Sequence, residues 1–97
     1  MRGAGAGLDR QRIDRWLWHA RLVRTRSAAA ELAGSGYVRV NGARIAAAGR
    51  MVRAGDVVTV ALDRAVRVLK VTGFVERRGP AGSIQSLYED LTRNSRR

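Results

Sequence analysis

The chain has no cysteine and only one histidine in 97 residues. Without cysteine there is no disulfide framework and no thiol-ligated metal, which fits a reducing compartment, and a cytoplasmic location is expected. His19 has no second metal-type ligand at useful spacing and is expected on the surface. Acid is scarce as well: 8 Asp and Glu stand against 19 Lys and Arg, a formal net charge of +11. No pair of carboxylates is flanked for acid–base work. Asp9 and Asp14 lie in a basic region, and Glu89-Asp90 reads as the surface of a helix. GAGAG near the start follows no strand and lacks phosphate-loop spacing. Neither an enzyme, nor a cofactor, nor a metal is expected. Long apolar runs are also missing, since none approaches the roughly 20 residues that cross a bilayer. MRGAGAGL has no hydrophobic segment of the signal-peptide kind. A soluble chain without a membrane partner is expected, and no internal repeat is visible.

What is abundant is arginine. A chain this short forms one small domain with a modest core, and its charge favours a polyanionic partner, nucleic acid first. Arginine is also what GC-rich codons supply, so placement carries more weight than frequency. Residues 10–44 hold eight arginines against Asp14 and Glu31, whereas residues 1–9 balance to zero. The stretch RIDRWLWHARLVRTRS, residues 12–27, concentrates five arginines and both tryptophans.

That stretch reads as a helix. Ile13, Trp16, Leu17, Ala20 and Val23 fall on one stripe at about 100° per residue, which is the core-facing pattern. Arg12 and Arg15 fall on another side with His19. Trp16 is therefore expected to be buried against a second helix and a sheet. Trp18 lies off the stripe; it is expected to pack beneath the C-terminal YEDL segment, or else to offer a face to a base or a guanidinium. RTRS interrupts the helix. Thr25, with Ser27 as second choice, is an N-cap for SAAAELA, whose Ala29, Leu32 and Ala33 share a side. Arg24 and Arg26 thus flank a helix start of the kind that binds anions.

Beyond the second helix, Gly36 is placed to adopt a left-handed conformation. YVRVNGARI alternates, and Asn41-Gly42 is a strong hairpin turn with Arg39 and Arg44 on either side of it. Ala54-Gly55-Asp56 turns into VVTVAL, and Asp63-Arg64 turns that strand into RVLKVTGF. The order predicts an α+β fold: two N-terminal helices on a small antiparallel sheet, with a short amphipathic C-terminal helix over residues 80–92.

R-x-D-x-W-L-W, then R-T-R-S-x-A, G-x-V-x-V-N-G and a G-D before a β run resemble the alpha-L RNA-binding domain, named for ribosomal small-subunit protein four. That likeness covers residues 12 to about 62. The paired tryptophans and ERRGPAGSIQSLYEDL, residues 76–91, extend it towards the stand-alone ribosome-associated heat-shock proteins of bacteria. The chain departs from the family at Ala46-Ala47-Ala48-Gly49, where members commonly carry a lysine-proline-serine-like segment. The resemblance implies an RNA surface built from Arg12 and Arg15; from Arg24, Thr25, Arg26 and Ser27; and from Arg39, Asn41 and Gly42. It also implies a partner, the ribosomal RNA of the large subunit together with transfer RNA, and a heat-shock role in recycling subunits that carry stalled nascent chains. Residues 1–9 are expected to be a flexible tail, 10–75 the RNA-binding domain, and 76–97 an extension ending in a basic tail with Arg93, Arg96 and Arg97. A monomer is expected. A general nucleic-acid binder that includes DNA and an integral ribosomal scaffold protein are the alternatives.

Overall fold

In the computed structural model, residues 9–63, 65–77 and 85–92 are described. Helix α1 (Ile13–His19) follows directly from an extended strand, β1 (Arg10–Arg12). Ile13, Trp16 and Leu17 of α1 are completely buried, as the helical stripe requires. Arg21 takes a left-handed φ of 64° and reverses the chain just past the helix. Helix α2 (Arg26–Gly34) then packs on α1 through Ala29 and Ala33, both fully buried. Their small side chains let the two helices approach closely.

The strands follow in order: β2 (Val38–Val40), β3 (Ala43–Arg44), β4 (Met51–Arg53), β5 (Val57–Leu62), β6 (Ala65–Val71) and β7 (Tyr88–Asp90). Five of them form an antiparallel sheet in the order β3-β2-β5-β6-β7. Asn41 and Gly42 adopt φ of 53° and 85°, the positive pair demanded by a tight hairpin turn, and Val40 then pairs with Ala43. Val38 and Val40, Val58 and Val60, and Leu69 and Val71 all point to one side, where they join Ile13, Trp16, Leu17, Ala29 and Ala33 in a single core. Separately, β1 pairs with β4, which sets Gln11 opposite Val52. This ribbon steers the chain into α1, because the Ile13 N–H donates to the Arg50 carbonyl at 2.7 Å.

The two helices and the antiparallel sheet are as expected, but the C-terminal helix is not. Residues 88–90 are strand β7, paired with β6 in the register Val71↔Tyr88 and Leu69↔Asp90. The open edge of β6 offers backbone partners that a segment as short as YEDL could not supply to itself as a helix. Strand β7 also brings Tyr88 edge-on to Trp16, with ring centroids 6.2 Å apart at 70°. Trp16 therefore takes the C-terminal contact expected of Trp18. Trp18 is half-buried beside His19 and lies under the Arg26 guanidinium instead. His19 is not a surface residue either, being only 2 % exposed. A seven-residue helix enclosed by α2 and the sheet buries more than one stripe. The expected flexible tail over residues 1–8, the expected helix over 80–84, Arg64 of the β5–β6 turn and the basic tail at Arg93, Arg96 and Arg97 lie outside the described residues.

Candidate nucleic-acid interface

Three segments carry the expected RNA-binding residues. The first is the start of α1. Arg12 forks onto Asp14, donating from Nε to Oδ1 at 3.1 Å and from Nη2 to Oδ2 at 2.9 Å. Asp14 is nearly buried and also accepts the Arg15 backbone N–H at 2.7 Å. The carboxylate thereby fixes Arg12, whose side chain stays half exposed, and raises its affinity for the proton. Arg12 lies alongside Gly49, where a Cβ would meet its Cζ at 3.5 Å, an ordinary contact. Arg15 is partly buried and donates from Nη2 to the Glu76 carbonyl at 3.3 Å.

The second segment is the start of α2. Thr25 is the cap: its hydroxyl accepts the Ala28 N–H at 3.0 Å from an extended backbone with φ −134° and ψ 159°. Arg24, Thr25, Arg26 and Ser27 are all exposed. The first N–H groups of a helix have no intrahelical acceptor, so those of Arg26 and Ser27 add to the positive field of the two arginines. The Arg26 guanidinium carbon sits 6.0 Å from the Trp18 ring centroid, within cation–π range. One of the two expected roles of Trp18 is thus filled from within the protein: it carries a guanidinium.

The third segment is the β2–β3 hairpin. Arg39 is exposed and alternates with buried Val38 and Val40, so it projects from the sheet face opposite the core, directly across from Arg44. Like charges in that position repel, and a bound anion relieves the repulsion. Asn41 is more engaged than its place in a turn implies. Its Nδ2 donates to Asp56 Oδ1 at 3.1 Å, and its Oδ1 accepts the Val57 N–H at 2.9 Å. Asp56 in turn accepts the Arg53 N–H at 2.9 Å. Asn41 therefore ties the hairpin to the β4–β5 turn. Gly42 is open to solvent, with nothing near the place of a Cβ.

Arg24 to Ser27 form one contiguous group. Arg12 and Arg15 form a second, held by Asp14 and Glu76, and Arg39 stands with Arg44 on the outer sheet face. Sequence reasoning missed the β1–β4 ribbon, whose register pairs Arg10 with Arg53 and Arg12 with Met51. The short runs R-Q-R, charged at both ends, and M-V-R, charged at one, were the available sign. Among the described residues no group of three His, Cys, Asp or Glu could hold a metal. No described helix is long and apolar enough to cross a membrane.

Comparison with known proteins agrees with this architecture. The S4 domain family matches residues 11–58. Heat shock protein 15 homolog of Aeromonas salmonicida is 42 % identical over 82 residues, which is 81 % of this chain and 59 % of that protein. Heat shock protein 15 of Escherichia coli K12 is 34 % identical over 79 residues, again 81 % of this chain and 59 % of the relative. The chain thus spans about three-fifths of the length of these relatives. A trimeric structure of Vibrio cholerae heat shock protein 15 superposes with a TM-score of 0.78 at 30 % identity, covering 84 % of this chain and 81 % of that one. By domain, sequence and fold, the chain belongs to the heat shock protein 15 family of S4-domain proteins.

Proposed function

We propose that this protein binds structured RNA, with ribosomal RNA of the large subunit as its target, and that it acts there as a non-catalytic heat-shock factor. The observation that carries the reading is the start of α2. There two exposed arginines flank a capped helix terminus, and one of them is held in place by Trp18. The α1 start and the hairpin extend the surface through Arg12, Arg15, Arg39 and Gly42, while Asn41 holds the hairpin at its angle. Duplex RNA has a major groove too narrow for side chains, so a rigid surface of this size reads backbone geometry, junctions and bulges. Recycling of large subunits that carry a stalled nascent chain on transfer RNA is the cellular role proposed, in the cytoplasm. Residues 10–75 are the proposed RNA-binding unit and the chain itself a monomer, although the Vibrio cholerae relative is trimeric.

The test is ribosome fractionation with purified protein. Binding to the large subunit that is released by a high-salt wash, and lost on charge reversal at Arg24 plus Arg26, is the expected result. Retention through the wash would mark an integral scaffold component instead. Duplex DNA competing as well as structured RNA at fixed salt would mark a general nucleic-acid binder.

A further inference from the structure

The five-stranded sheet turns one face to the core and leaves the other open. Three of the four exposed large apolar side chains among the described residues stand on that open face. Tyr37 precedes β2 and continues its pairing, since the Tyr37 carbonyl accepts the Ala61 N–H at 2.9 Å. The neighbouring pair, Val38 and Val60, points into the core, so Tyr37 and Ala61 point outward. Ala61 is paired in turn with Val66, which completes an outward row. The next row runs Arg44, Arg39, Thr59 and Val68, and the Leu91 N–H donates to the Val68 carbonyl at 2.7 Å, setting Leu91 at its far end. Tyr37 and Val66 are each 55 % exposed, and Leu91 is 42 % exposed.

Tyr37 is a platform and not a piece of packing. Ala61 beside it is too small to shade the ring. The ring contacts among the described residues, Trp16–Tyr88, Trp18–His19 and Arg26–Trp18, do not involve it. Its charged neighbours on this face are arginines. Strands β2, β3, β5 and β6 contain no carboxylate, and the outward Glu89 of β7 lies across from Lys70 at the far edge. Arg39 projects from the same face two residues on, about 6.6 Å along the strand. Arg44 runs back along the sheet edge to Gly36, where the place of a Cβ is 3.7 Å from its Cδ and 3.9 Å from its Nε. The ion pairs among the described residues are Arg12–Asp14 and Arg67–Asp90, so the charges of Arg39 and Arg44 stay unneutralised.

We infer that this outer sheet face stacks an unpaired base of a bound RNA on the Tyr37 ring, with Arg39 and Arg44 taking the phosphates beside it. Every base has a π-face, and an exposed aromatic ring flanked by cations holds single-stranded RNA by stacking and charge together. A paired base keeps its faces against its neighbours in the helix, so only a loop, a bulge or an end can supply one. Neither Tyr37 nor Arg44 belongs to the surface proposed above, which meets this face only at Arg39. The inference rests on the RNA-binding reading and narrows it: the RNA bound carries a single-stranded segment beside its structured part.

The experiment uses the full chain and two RNA hairpins with the same stem, titrated at the same salt. One ends in a short run of unpaired adenosines and the other in the same number of abasic nucleotides, so their phosphates are equal. The adenosine hairpin should bind about fivefold or more tightly. Tyr37→Val keeps a strand-forming residue at an exposed position, and a thermal melt should show it folded. It should bring the two affinities together, whereas Tyr37→Phe should keep the preference. Arg24→Glu with Arg26→Glu should weaken both hairpins and leave their ratio unchanged. Equal affinity of the unaltered protein for both hairpins would overturn the stacking face and leave RNA binding intact. So would a preference that survives Tyr37→Val, or one that Tyr37→Phe abolishes. Analytical ultracentrifugation covers the other occupant: an oligomer that Val66→Asp dissociates would give the face to a second copy of the chain and overturn the inference. Failure of both hairpins to bind would remove the RNA reading itself, and the stacking face with it.

Discussion

The two tryptophans divide the labour of α1. Trp16 is fully buried and braced by Tyr88, so its removal leaves a cavity in a small core. Trp16→Ala should cost about 3 to 5 kcal/mol, and a thermal melt should show a largely unfolded protein that loses RNA binding only as a consequence. Trp18 has the opposite profile. Half-buried beneath Arg26, it positions a guanidinium on the proposed RNA surface. An exposed cation–π contact is worth about 0.5 to 1 kcal/mol, so Trp18→Ala should weaken RNA binding by about two- to fivefold. The melting temperature should move far less than in Trp16→Ala. Equal destabilisation by the two substitutions would contradict this division. Helical phase alone separated Trp16 from Trp18, because burial of a stripe is a property of the helix. It could not find the Arg26 contact or the burial of His19, since both depend on where α2 lies.

At the scale of elements, turns and caps were the most legible features and strand partners the least. Thr25 as a cap, Asn41-Gly42 at positive φ and Gly55 at φ 97° each follow from local chemistry. Thr25→Ala should cost about 1 kcal/mol of stability, which differential scanning calorimetry would register as a fall of about 4 to 8 °C in a domain of this size. Strand β7 was unreadable because a strand is defined by its neighbour, and β6 is some twenty residues earlier. Its anchoring is electrostatic in part. The Thr92 hydroxyl first, then its backbone N–H at 2.9 Å and the Arg67 guanidinium at 2.8 Å, hold the Asp90 carboxyl below its ordinary value of 3.8. A lowered folded value means that the contribution is fully present above 3.8 and is lost as the pH falls through the lower folded value. Acidification should therefore loosen β7 and the Tyr88–Trp16 contact before the rest of the sheet. Near-ultraviolet circular dichroism, followed downward from neutral pH, would show an early change in the aromatic signal. In Asp90→Asn that early change should be absent. The exposed setting of the pair keeps the effect small.

At the scale of the whole molecule, net charge and motif order led to the family, but charge alone did not outline the site. With 19 basic residues in 97, almost any face of this protein is positive. What separates a site from background is how each arginine is held. Arg12 is gripped by Asp14, Arg15 reaches the Glu76 carbonyl and Arg26 lies on Trp18, whereas Arg67 is consumed by Asp90. None of these partners could be read from spacing except Asp14, which stands two residues from Arg12. Two measurements then distinguish a built surface from diffuse charge. Reversal of Arg24 and Arg26 to glutamate should weaken RNA binding far more than the same reversal at Arg64 and Lys70, although both pairs change the net charge equally. Equal losses would mean that only the total charge matters. The salt dependence bounds the size of the surface. Arginines on the three segments that neutralise about 5 to 7 phosphates should give a slope of log affinity against log salt of about −4 to −6. Arg24→Glu with Arg26→Glu should flatten that slope by about 1.5 to 2, because two phosphate contacts and their released counterions disappear together. A slope near zero in the unaltered protein would refute the electrostatic account. A steep slope left unchanged by the double reversal would move the contact surface away from the start of α2.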